Sequence, residues 1–210
     1  MDAPTHGTDG PAQAGGPAPG DGAARTPWTE PLRRRPVPVV LAAAVAAGLL
    51  VWRIGARPDL PAFLLLGIAG TALAAIDIAT KRLPDPLTYS LYGAGAALLG
   101  VAAAVTDGGG VRFGFALIGL AGLWLLFAVQ YVIAPDKIGR GDVKLAGALG
   151  LHLGWLGYDA WMLGVLAMFV LAGLVAAALL ALRRAGRGSE LPYGPFMLAG
   201  TLVGVLVHAG

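Results

Sequence analysis

The chain has 210 residues, 57% of them hydrophobic and only 13% charged, with a net charge of +3 and a mean hydropathy of +0.72. A soluble domain carries about 25% charged residues, so this composition excludes an ordinary soluble globule and places the chain in a membrane. Cysteine is absent, which excludes disulfides, a CxxC zinc knuckle and a thiol nucleophile.

Residues 1–35 are rich in Pro, Gly, Ala, Thr and Asp and show no apolar period. They are predicted to form a disordered tail, because they bury too little surface to offset ordering entropy. A signal peptide opens on a basic end and a short apolar core. Here a long polar stretch comes first, so the first apolar segment is expected to remain as an anchor. Apolar segments then run over 37–54, 60–78, 88–106, 113–133, 143–158, 160–182 and 192–209. Helices are the only open-chain solution in lipid, since every backbone polar group needs a partner there. The expected fold is therefore all-α: a polytopic membrane helix bundle over 36–210 with about seven transmembrane segments, six to eight being compatible with the lengths. The fifth segment is short and glycine-rich, and is expected to be tilted or only partly inserted. Gly67, Gly70, Gly93, Gly95, Gly119, Gly122, Gly164 and Gly173 suit close helix packing.

Lysine and arginine set the orientation. With the N-terminal tail cytoplasmic, the inner loops carry Arg25, Arg33, Arg34, Arg35, Lys81, Arg82, Lys137, Arg140, Lys144, Arg183, Arg184 and Arg187. The outer loops carry Arg53, Arg57 and Arg112. This bias predicts seven crossings and an outside C-terminus.

Charge at a membrane is costly and by default functional. Asp77 ends the second segment and Asp142 opens the fifth, so the topology puts both acids at one depth on the cytoplasmic side. Two carboxylates a few ångströms apart share a proton and titrate as a pair. One can serve as base toward water and the other as acid. Gly139 and Gly141 flank Arg140 just before Asp142, where they allow unusual backbone angles and the close approach of another chain. The competing expectation is a loop whose glycine ends one helix and whose aspartate caps the next. Asp85, in Leu-Pro-Asp-Pro-Leu-Thr, reads first as an N-cap with Pro86 at the first helical position, and second as a site-shaping acid. Lys144 either reaches to headgroups or biases the field at the two acids. Tyr193, Gly194 and Pro195 open the last segment, as a plain helix start or as a wall of a substrate cleft. The histidines, His6, His152 and His208, lack metal-ligand spacing, and His152 reads as a packed residue.

Three stretches together resemble the type IV prepilin peptidases, membrane aspartyl proteases with a Gly-x-Gly-Asp signature. They are DIATKRLPDPLT at 77–88, GRGDVK at 139–144 and PYGPFMLAG at 192–200. The resemblance covers about residues 60–209. It implies that Asp77 and Asp142 are the catalytic pair, with Gly139, Gly141, Lys144, Asp85, Tyr193, Gly194 and Pro195 around the substrate. It implies as partner a prepilin or pseudopilin precursor, whose short basic leader is cut on the cytoplasmic side just before an apolar helix, usually after glycine. The other expected partner is the lipid bilayer; no nucleic acid, metal or organic cofactor is expected. Many bacterial members carry paired CxxC motifs linked to N-methylation of the new pilin end. This chain lacks them, so cleavage without methylation is expected.

Other classes make different demands. A proton- or cation-coupled transporter predicts acids near mid-membrane and an internal repeat. A scaffold predicts that Asp77 and Asp142 lie far apart. A serine rhomboid-type protease needs a serine–histidine pair at one depth, and the positions of Ser90, Ser189 and His152 do not supply it.

Overall fold

The computed structural model describes residues 29–34, 36–135, 138–182 and 192–209. They form eight helices and, among the described residues, no strand: α1 (Glu30–Arg34), α2 (Pro36–Ile54), α3 (Leu60–Thr80), α4 (Asp85–Ala104), α5 (Gly109–Ile133), α6 (Arg140–Leu156), α7 (Tyr158–Ala181) and α8 (Gly194–His208). The seven apolar segments correspond to α2 through α8. The N-terminal expectation divides: residues 1–28 and Arg35 lie outside the described residues, while Glu30–Arg34 is a short helix.

Helices α2, α3, α4, α5 and α7 are long and apolar enough to cross a membrane. They also carry large apolar side chains that are exposed, among them Trp52, Val101, Ile118, Val132 and Leu174. In water such a belt would drive association; in a bilayer it faces lipid.

The fifth segment becomes α6, and it is not among the helices long and apolar enough to cross on their own. It is the central helix of the bundle. Every residue from Leu145 to Trp155 is buried, with α5 along one side and α4, α7 and α8 around the rest. At 17 residues and about 1.5 Å of rise each, α6 is shorter than the hydrocarbon core. It does not have to meet lipid, because its neighbours do. Glycine makes this possible. Gly150 and Gly154 of α6 stand against Gly119 of α5 so closely that a Cβ at any of the three would strike backbone. His152 is fully buried in this core. Its Nδ1 lies 2.8 Å from the Ala148 carbonyl and its ring stands edge-on to Phe63, so it is a packed residue as expected.

The two ends of the bundle are chemically different. At one end Arg53 donates to the carbonyls of Leu206 and Val207, and Arg57 to that of Ala209, so the α2–α3 connection satisfies the last carbonyls of α8. Arg57 also pairs with buried Asp59 at 2.6 Å, which accepts the Trp155 indole N–H at 2.8 Å. Arg112 lies over the Trp155 ring. The other end gathers the C-terminus of α3 and the N-termini of α4, α6 and α8, and with them both candidate acids.

Candidate active site

Asp77 lies one turn before the end of α3, and its side chain is buried. The helix closes with Lys81 in the left-handed region (φ 51°), its N–H donating to the Asp77 carbonyl at 2.8 Å. That sharp stop sends the chain through Pro84 into α4. The Asp77 carboxylate is then held from another helix: Oδ2 accepts the Gly194 N–H at 3.0 Å, at the first residue of α8. An anion at a helix N-terminus meets unpaired N–H groups and the positive end of the dipole. Gly194 is needed for room, since a Cβ there would come within 2.8 Å of Asp77 Oδ2.

Asp142 is the third residue of α6, and its Oδ2 accepts the Gly139 N–H at 3.1 Å. It therefore does part of what the capping expectation asked, tying back the loop that enters its own helix. It also lies within electrostatic range of Asp77. Each carboxylate is thus anchored through one oxygen by a backbone N–H. Among the described residues neither Oδ1 accepts a hydrogen bond.

The glycines of the Gly-Arg-Gly-Asp stretch act differently from expectation. Gly139 is extended (φ −74°, ψ 147°), a conformation open to any residue, and Arg140, Gly141 and Asp142 already belong to α6. The positive-φ glycines among the described residues are Gly55, Gly108 and Gly157. What Gly141 supplies is proximity: a Cβ there would meet the Leu83 side chain at 3.0 Å. The α3–α4 connection thereby lies directly on the start of α6.

Asp85 is likewise corrected. It is the first residue of α4, Pro84 occupies the cap position, and no side-chain cap bond forms. Its carboxylate instead receives the Lys144 ammonium at 2.8 Å, which also lies 5.2 Å from the Tyr89 ring centroid. Neither side chain is buried, so this pair sits on the rim of the site. Tyr92 ties α4 to α6 beside it, its hydroxyl donating to the Lys144 carbonyl at 2.5 Å.

Tyr193 and Pro195 part company. Pro195 falls in the first turn of α8 and lines an apolar cavity of about 440 Å³ against α2 and α3. Tyr193 lines a different cavity, of about 410 Å³, together with Asp142. Its ring sits among Phe127, Phe169 and Phe196. Its hydroxyl is buried without a hydrogen-bond partner among the described residues. Gln130, Ile138 and Phe196 of this cavity, and Leu83 beside Gly141, were not singled out from the sequence. The apolar three have no signature that separates a site wall from core. Gln130 does, as an amide near the end of an otherwise apolar helix.

The fold and geometry describe a polytopic membrane helix bundle with two backbone-anchored carboxylates, from remote segments, at one end. Comparison with known proteins carries this further. Residues 63–182, α3 through α7, match the type IV leader peptidase family, and the chain belongs to that family. It is 32% identical over 162 residues to the prepilin leader peptidase/N-methyltransferase of Pseudomonas aeruginosa, covering 76% of this chain and 53% of that protein. The protein of the same name from Pectobacterium carotovorum is 33% identical over 174 residues, 81% and 58% of the two chains. That from Burkholderia pseudomallei is 36% identical over 179 residues, 80% and 52%. The chain spans about half the length of the curated relatives it matches. No solved structure matches it.

Proposed function

We propose that this chain is an inner-membrane aspartic endopeptidase that removes the basic cytoplasmic leader from a prepilin or pseudopilin precursor, with Asp77 and Asp142 as its catalytic pair. The observation that carries the reading is the convergence of the two acids. They come from helices far apart in sequence, each is pinned at Oδ2 by a backbone N–H, and among the described residues neither Oδ1 accepts a hydrogen bond. The orientation rests on the lysine and arginine distribution, which puts this end of the bundle in the cytoplasm, where the leader lies.

In the mechanism, repulsion between the carboxylates leaves one ionised and one protonated. The ionised carboxylate takes a proton from water, and the hydroxyl oxygen bonds to the scissile carbonyl carbon. The protonated carboxyl gives its proton to the carbonyl oxygen, producing a neutral gem-diol. The carboxyl that took the water proton passes it to the departing nitrogen, the C–N bond breaks as a gem-diol hydroxyl gives its proton to the other carboxylate, and carboxyl and amine products leave with the pair reset. Anchoring both carboxylates beforehand saves the reorganisation that mobile acids would require at the moment of reaction. Asp85 and Lys144 are placed to meet the charged leader at the rim. Because the 210 residues hold no cysteine, the proposal is cleavage without N-methylation.

The test is co-expression with candidate precursors, reading the new N-terminus by mass spectrometry. Asp77→Asn and Asp142→Asn should each lower cleavage by several orders of magnitude while the protein still inserts. Full cleavage by both single variants would end the assignment.

A further inference from the structure

The proposed reaction leaves a geometric question. The bond to be cut directly precedes an apolar helix that is already in the bilayer, so that helix has to lie against the bundle within reach of Asp142. Helices α5 and α7 are tied at the end away from the acids, where the Trp161 indole donates to the Gly119 carbonyl at 3.1 Å. Toward the acids they meet through the stacked rings of Phe127 and Phe169, 6.1 Å between centroids. Beside that stack is a cavity of about 410 Å³ whose inner wall is Ile138, Asp142, Tyr193 and Phe196. Its outer walls are Gln130 of α5 and Phe169, Ala172, Gly173 and Ala176 of α7. A Cβ built on Gly173 meets nothing within 4 Å, so beyond Phe169 the α7 wall is open and lined by small residues.

We propose that this cleft between α5 and α7 is the seat of the substrate's apolar helix, an inference that rests on the peptidase reading. Small side chains on one helix let a second helix approach to backbone distance in lipid. A cavity of this size admits one face of a helix about 10 Å across, not a whole one, which suits a guest that stays otherwise in the bilayer. The inner wall adds the polar group that such a guest needs. A peptide unwound just before a helix exposes N–H groups and carbonyls with no internal partner, and the buried Tyr193 hydroxyl has no hydrogen-bond partner among the described residues. Two larger apolar cavities, between α2, α3 and α8 and between α1, α2 and α3, are lined by neither acid. They lack this continuity with the site.

The probe is a synthetic precursor peptide with a basic leader, a glycine and an apolar helix of about twenty residues, presented to the full chain in lipid nanodiscs. Gly173→Leu fills the cleft from the lipid side and should raise KM at least tenfold with kcat within about threefold. Gly93→Leu, on the exposed side of α4 where a Cβ also meets nothing, should change neither by more than about twofold. A benzophenone amino acid at position 173 should capture the peptide, and one at position 45, in the α2/α3/α8 cavity, should not. Cleavage by the unmodified chain with capture only from position 45, or with capture of a second copy of the chain from position 173, overturns the seat and leaves the peptidase reading standing. An unchanged KM for Gly173→Leu does the same. No cleavage of any precursor by the unmodified chain overturns the peptidase reading, and the seat with it.

Discussion

Gly194→Ala tests whether the geometry around Asp77 matters to the reaction. The added methyl would stand 2.8 Å from Asp77 Oδ2 and 3.3 Å from its Cγ. Ordinary contact lies near 3.5 Å, so the carboxylate or the start of α8 must retreat by roughly 0.7 Å. The Gly194 N–H bond, now 3.0 Å, would then exceed hydrogen-bonding range. A hydrogen bond to a charged group contributes about 1.5–3 kcal/mol, and misplacing a catalytic group by about 1 Å costs on the order of a hundredfold in rate. With about 1.4 kcal/mol per factor of ten, kcat for a precursor should fall about 10- to 100-fold. KM should stay within about threefold, since the cleft wall is untouched. Single-turnover cleavage in nanodiscs, alongside thermal unfolding to confirm a folded bundle, reads both. Cleavage within twofold of the unmodified rate would refute the idea that the Gly194 N–H sets the position of the acid.

Three more predictions separate architecture from chemistry. Asp59→Ala removes the acceptor of both Arg57 and Trp155 in a buried position. Breaking a buried pair costs about 3–5 kcal/mol, and the partial exposure of Arg57 argues for the lower part of that range; detergent-phase unfolding should show the loss, while the rate per folded molecule is unchanged. Tyr92→Phe deletes the hydroxyl bond from α4 to the Lys144 carbonyl and should lower stability by about 1 kcal/mol. Asp85→Asn removes an exposed ion pair and should leave thermal unfolding nearly unchanged. Its effect should appear in binding: KM for a basic leader should rise severalfold at low salt, with the difference shrinking as salt screens the field.

Much of the architecture was legible along the chain, and the reason is one-dimensional. Hydropathy and length act along the helix axis, so they located α2 to α8 to within a few residues and put Asp77 and Asp142 at matching helix ends. Missing cysteine and the three quoted stretches likewise needed no coordinates. What the sequence did not determine is rotation about each axis and the choice of neighbour, because these follow from which surfaces fit. That is why α6, read as a marginal segment, proves to be the centre: Gly119, Gly150 and Gly154 admit backbone contact that no periodicity announces. The same cause explains why Asp85 pairs with Lys144 instead of capping its own helix, and why Gly141 supplies room for Leu83 and no special backbone angle. Adjacent residues can be sent apart for this reason too, as Tyr193 faces the Asp142 cavity and Pro195 the opposite groove. Local chemistry specified which groups were available; only packing in three dimensions decided which of them meet.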